Sequence, residues 1–297
     1  MRRPPLKSVL ASTIVLVTFG LFGRFLATHP EYVDNLLATP LWVVASIVAV
    51  NLIGVGVLAV LYMYTLNLTG HTMPRKENFL LTIYSTIANF FGPLQSGPGV
   101  RAAYLKTRHK VSLKSYTLAT LIYYGFFAII SAAMLGVGTL PWWQTLLGML
   151  AVGAGSYALI TFLHKKYAKA AKSLTLSRHL LVGLFLLTLA QLLLIALRYF
   201  IELRSIDPSV SVGQALSYTG AANFSLFVSI TPDGIGIKEA FLLAAQGIHG
   251  IESSTIVAAS ILDRATYIFT LFLLFLATLA LHAKEKLHIR SLEKETD

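Results

Sequence analysis

Six charged residues fall within segments that otherwise read as apolar or as glycine- and proline-broken runs: Arg101, Lys238 and Arg264, and Asp233, Glu239 and Asp263. An ionised side chain in hydrocarbon costs several kcal/mol unless it is paired or faces a wet cavity, so each marks a functional site by default. Arg101 follows Pro98 by three residues, and Lys238 and Glu239 follow Pro232 by six and seven. Proline is favoured at the first position of a helix, so the spacing predicts helices that begin at Pro98 and Pro232 with free backbone N–H groups at their ends. Two positive helix ends beside Arg101 and Lys238 make an anion trap, and a phosphate headgroup suits it. Glu239 is expected to pair with Arg264 or to take up a coupling proton. Asp263 and Arg264 are about 100° apart on one helix and each need another partner. The expected substrate-binding set is therefore Arg101, Lys238, Glu239, Asp263 and Arg264; the competing reading makes the acids and Arg264 a salt-bridge network that only holds the fold. Pro98, Gly99, Pro232, Asp233, Gly234 and Gly236 are expected to form the backbone breaks, and Asn89 and Asn223 to cap or bridge them.

The elements that must hold these residues are membrane elements. Of 297 residues 56% are hydrophobic and only 12% charged, with a mean hydropathy of +0.70. Soluble chains carry about a quarter charged residues, so a water-soluble globule is excluded. Spanning-length apolar runs occur at 8–26, 41–66, 112–140, 142–163, 180–200 and 254–281, six in all. The first resembles a signal peptide but lacks a small-residue cleavage site and is expected to be retained. Two further regions, 78–105 and 212–250, are broken at Gly92 to Gly99 and Thr231 to Gly236. Halves of about 12–15 residues are too short to cross a core of about 30 Å, which predicts re-entrant hairpins. The expected fold is thus an all-α polytopic membrane protein, one integral domain of six spans and two hairpins.

Charge placement supports that topology. With both termini cytoplasmic and both hairpins returning to their own side, 18 of the 24 Lys and Arg residues fall in cytoplasmic segments, as the positive-inside rule requires of a cell-membrane protein. The formal charge of +11 is then accounted for by topology and anionic headgroups rather than nucleic acid. The outer loops are expected to carry Glu31, Asp34, Glu202, Asp207 and Glu252, with Arg24, Arg198 and Arg204 anchored near the outer interface.

A shift of 134 residues aligns Pro74 to Gly99 with Pro208 to Asp233, with identities at Pro74/Pro208, Tyr84/Tyr218, Ala88/Ala222, Asn89/Asn223, Phe90/Phe224 and Pro98/Pro232. The matches centre on the break and its approach helix, which predicts a duplication with copies over about 41–140 and 180–282. Hairpins opening from opposite sides relate the copies by an axis in the membrane plane, an arrangement common in secondary transporters.

At these residues the chain resembles the flippase-like transmembrane region of lysylphosphatidylglycerol synthases, as a stand-alone member without the synthase domain. Ile230 to Glu239 (Ile-Thr-Pro-Asp-Gly-Ile-Gly-Ile-Lys-Glu) and Arg264 match its second-half pattern. In the first half Gly97, Pro98, Gly99 and Arg101 match, the family's glutamate is absent, and Tyr123 and Tyr124 stand where an arginine often follows. The resemblance implies movement of a lipid between leaflets, with aminoacylated phosphatidylglycerol or a polyprenyl-linked glycan as cargo.

Chemistry of other kinds has little to stand on. There are no cysteines, and the eight histidines fall at expected loops or span ends without a ligand pair at helical spacing. No His-Glu-x-x-His, Gly-x-Ser-x-Gly, P-loop or dinucleotide fingerprint occurs. The expectation is a lipid transporter that needs no metal or cofactor, has a membrane lipid as its partner, and draws on proton or ion coupling. The alternatives are a carrier of a small soluble anion and an intramembrane enzyme that modifies a lipid headgroup.

Overall fold

The structure, a computed structural model, describes residues 37–92, 96–167 and 174–295, with side chains to 279, and a few isolated positions before 37. Among the described residues every element is helical: α1 (Leu41–Asn67), α2 (Arg75–Phe91), α3 (Ser96–His109), α4 (Leu113–Gly136), α5 (Trp142–Lys166), α6 (Arg178–Ile206), α7 (Val212–Val228), a 3₁₀ turn (Pro232–Gly234), α8 (Ile237–Ala244), α9 (Gln246–His249) and α10 (Ser253–Glu295). Five helices are long and apolar enough to cross a membrane: α1, α4, α5, α6 and residues Ser253–Leu279 of α10. They coincide with five of the six expected spans, and the protein is an all-α polytopic membrane protein. The sixth, 8–26, lies outside the described residues but for Gly20 and Arg24.

Backbone groups of a spanning helix must be satisfied within it, and buried hydroxyls are quenched the same way. Thr65, Thr82, Thr188, Thr219, Thr266, Thr270 and Thr278 each donate to the carbonyl four residues earlier. Helix starts are specified locally. Ser177 caps α6 through the Leu180 amide, and Ser211 and Gln214 form a reciprocal capping box on α7.

Close crossings of small residues set the packing. Gly220 of α7 lies so near α4 that a Cβ there would sit 2.7 Å from both Leu135 Cα and the Ser131 carbonyl. Ser217 fixes the same crossing by donating to the Leu135 carbonyl at 2.6 Å. Long helices α1 and α6 pack along each other, while α5 packs mainly on α4 and keeps no fully buried residue. The order of long, short, short and long helices before α5 recurs after it, α8 and α9 together holding the place of α3.

Both broken segments exist as packed helix pairs, α2 with α3 and α7 with α8, and α2 also meets the Pro232–Gly234 turn of the other pair. The halves differ from expectation. The second break is longer than one proline requires, because Asp233, Gly234 and Gly236 all have positive φ (48°, 68° and 81°), and α8 starts only at Ile237. Glycine enters that region freely and aspartate at modest cost. After eight residues α8 ends, since the buried His249 side chain puts Nε2 3.0 Å from the Leu242 carbonyl and takes the place of a helical amide. His249 also accepts from the Ile251 amide at 3.1 Å; it is a core residue, not the solvated span-end histidine the sequence suggests. In the first pair, Pro98 is the third residue of a helix described from Ser96.

At the open end of the α2–α3 pair, outside the five spanning helices, Glu77 Oε1 accepts from Tyr104 Oη at 2.7 Å and lies 2.7 Å from His109 Nε2. The Tyr104 hydrogen bond, and after it His109, hold the Glu77 carboxyl below its ordinary value. A depressed folded value means the stabilisation is complete above the unfolded value near 4.5 and is lost as pH falls through the folded one. The melting temperature is therefore expected to drop on acidification below about pH 4.5. Tyr104→Phe should shrink that drop while costing about 1 kcal/mol at neutral pH; melting curves of both proteins across acid pH test it.

Candidate functional site

Between the two broken pairs lies a cavity of about 780 Å³ whose wall draws on every helix but α9. Gly97 and Pro98 bring the first break to it, and Ile230 and Asp233 the second. Gly97 is required there: a Cβ would sit 2.9 Å from Asn89 Cβ, so α3 could not approach α2 this closely. One part of the wall is polar, with Asn51, Asn89, Gln191, Asn223 and the charges of Arg198, Asp233, Lys238 and Asp263. Another part is apolar and reaches the protein surface, since the lining residues Leu159, Phe227, Val228 and Ile230 are about half exposed.

The charged side chains form two crossed pairs between α8 and α10. Lys238 Nζ donates to Asp263 Oδ2 at 2.7 Å. Next to it, Arg264 donates to Glu239 and lies 3.3 Å from Asp233 Oδ2. Neighbours on one helix point about 100° apart, so Lys238 and Glu239 can each meet the opposite charge on α10 only because Asp263 and Arg264 diverge by the same angle. Arg264 grips both ends of the second break at once. Glu239 adds a third tie by accepting from the Gly236 amide at 2.7 Å, which caps α8 with its own side chain.

This arrangement confirms the expected Glu239–Arg264 pairing and corrects three expectations. The α8 N-terminus is no open anion site, because the Glu239 carboxylate occupies it. Arg101 and Lys238 do not converge. Arg101 is fully buried behind the cavity-lining Tyr62, donating to Asn78 Oδ1 at 2.5 Å with its guanidinium 4.4 Å over the Tyr62 ring. Glu202 lies in no outer loop and Arg198 does not snorkel free of partners, because α6 continues to Ile206 and turns both side chains into the protein. Arg198 Nη1 lies 3.0 Å from Asp263 Oδ1 and 3.3 Å from Asn51 Oδ1, so Asp263 serves two bases. The signal available in the sequence was the Arg198–Glu202 spacing of four in Leu-Arg-Tyr-Phe-Ile-Glu-Leu (197–203), a helical ion pair flanked by apolar residues.

Of the remaining expected residues, Asn89, Asn223 and Pro98 line the cavity, whereas Gly99, Pro232, Gly234, Glu239, Gly236 and Arg264 stand behind its wall. Asn223 does not bridge the two broken pairs; it donates to Ser131 of α4 at 3.1 Å. Asn89 Oδ1 is buried without a hydrogen-bond partner among the described residues. Tyr123 and Tyr124, where an arginine was expected, line the cavity, and Tyr123 donates to Gln191 at 3.2 Å. Among the described residues no three His, Cys, Asp or Glu side chains are grouped to hold a metal.

No curated protein matches the chain. The model of the family described as the lysylphosphatidylglycerol synthase TM region matches residues 8–275, a range that takes in both broken pairs, the crossed ion pairs and the segment 8–26. The protein belongs to that family.

Proposed function

We propose that the protein is a lipid transporter of the cell membrane that carries a phospholipid, aminoacylated phosphatidylglycerol included, or a polyprenyl-phosphate-linked lipid between leaflets, and that it is not an enzyme. The observation that carries this reading is the mixed lining of the cavity: two cations and two carboxylates in its wall together with half-exposed apolar side chains. A molecule with a charged head and an oily tail suits both kinds of lining at once, with the head among the fixed charges and the tail left in the bilayer. Balanced cavity charges favour a head that itself carries both signs, such as an aminoacylated phosphate. In this reading the helix pairs are re-entrant hairpins inserted from opposite sides, the halves are inverted repeats, and the termini are cytoplasmic. Transport then proceeds by one half rocking against the other around a site near the midplane.

The test is reconstitution into vesicles with headgroup-labelled phosphatidylglycerol, following the label's accessibility to an impermeant reagent. Wild-type protein should expose inner-leaflet label, whereas Asn89→Asp should slow an anionic lipid about tenfold. A like charge about 10 Å away at an effective dielectric near 20 costs roughly 1.5 kcal/mol. Unchanged accessibility with intact lipids, together with uptake of free glycerol phosphate, would instead establish the soluble-anion carrier. A change in lipid mass on incubation would establish the enzyme.

A further inference from the structure

Glu202 is fully buried, and neither of its carboxyl oxygens has a hydrogen-bond donor among the described residues. The nearest base is Arg198 Nε, 3.8 Å away on the same helix, and that arginine is already turned to Asp263 at 3.0 Å. The charged network around it contains three bases, Arg198, Lys238 and Arg264, and three other carboxylates, Asp233, Glu239 and Asp263, each with a base within 3.3 Å. Glu202 is thus a fourth carboxyl in a set that balances without it. Its surroundings offer Arg198 and Tyr199 from α6, Lys238 from α8, Asp263 from α10 and Tyr218 from α7. From α1 the neutral Asn51 reaches the set through Arg198. None of these donates to it among the described residues. A carboxylate stripped of water and of donors is the form that burial disfavours most, whereas its protonated form leaves the network neutral.

We propose that Glu202 is a proton-binding site of the transporter, protonated in this conformation, whose charge state sets the charge of the cavity one helical turn away. Loss of the proton to solvent leaves a carboxylate that competes with Asp263 for Arg198. The cavity side of the network then becomes more negative and rejects an anionic head; return of the proton restores Arg198 to Asp263. Binding of a net-negative lipid and binding of the proton therefore strengthen each other by the same factor. This linkage rests on the lipid reading of the cavity; the protonation of Glu202 does not.

Two measurements on the purified full-length protein separate these claims. The infrared carbonyl band of a protonated carboxyl should be present at neutral pH in the wild type and lost from the Glu202→Gln difference spectrum, with Glu202→Met melting no lower than the wild type. Identical bands in both proteins, or a melting temperature several degrees lower in both variants, would overturn the proton site. Affinity for dihexanoylphosphatidylglycerol should fall at least tenfold as pH rises through the loss of that band. In Glu202→Gln it should stay at its low-pH value. A wild-type pH dependence in that variant would overturn the linkage. If the probe binds at no pH, the lipid reading fails and the infrared band still decides the proton site.

Discussion

Asp263→Asn is expected to destabilise the protein by about 3–5 kcal/mol, the cost typical of removing one member of a buried ion pair. Asp263 accepts from Lys238 at 2.7 Å and lies 3.0 Å from Arg198; Lys238 and Asp263 are nearly inaccessible and Arg198 is largely covered. Asparagine keeps the shape and one acceptor but strands Lys238 and leaves Arg198 with only Glu202, 3.8 Å away, as a counter-charge. The lost attraction is then only part of the effect; desolvation of the two bases makes the rest. Two consequences separate this from loss of packing. Adding Lys238→Met to Asp263→Asn should recover part of the melting temperature, since the second substitution removes one stranded charge. Asp263→Glu should behave quite unlike Asp263→Asn, keeping the charge at some cost in fit. Thermal unfolding in detergent of the two single variants and the double gives the coupling directly. Additive effects would show that Lys238 and Asp263 do not depend on one another.

Features that depend on composition along the chain were legible in the sequence. Five spans follow from apolar runs, and both breaks from Pro-Gly clusters. The Glu239–Arg264 pair follows because a carboxylate and a guanidinium in an apolar setting must find each other. Features that depend on direction were not. Distance from Pro98 places Arg101 on α3 but does not say which way the helix faces, and the structure turns it to Asn78 and Tyr62. Three positive-φ residues in the second break displace the α8 start by five residues from Pro232, which no helix-start preference encodes. Arg198 and Glu202 were lost for another reason. A polar residue near the end of an apolar run looks the same whether the helix stops there or continues, and α6 continues to Ile206. What decides it is the company of Lys238 and Asp263, 36 or more residues away in sequence.

Arg264→Met and Arg101→Met remove charges of equal size and depth, yet their outcomes should differ in kind. Arg264 holds two carboxylates, Glu239 and Asp233, on either side of the second break. Its loss leaves both near the cavity uncompensated, at about 3–5 kcal/mol, and frees the turn that α2 packs against. Glu239→Gln in the Arg264→Met background should restore part of the melting temperature, though Gln still has to cap the Gly236 amide. Arg101 holds no carboxylate among the described residues. Its partners among the described residues are all neutral, the Asn78 side-chain oxygen, the Tyr62 ring and the Tyr116 hydroxyl, so Arg101→Met strands no charge, at a cost of about 1–3 kcal/mol, and relieves the desolvation of a buried cation. Melting curves for the three variants decide between the two kinds of burial. Equal losses for both arginines, without rescue by Glu239→Gln, would mean that methionine fails at these sites through shape alone, and that the crossed pairs do not hold the second break in place.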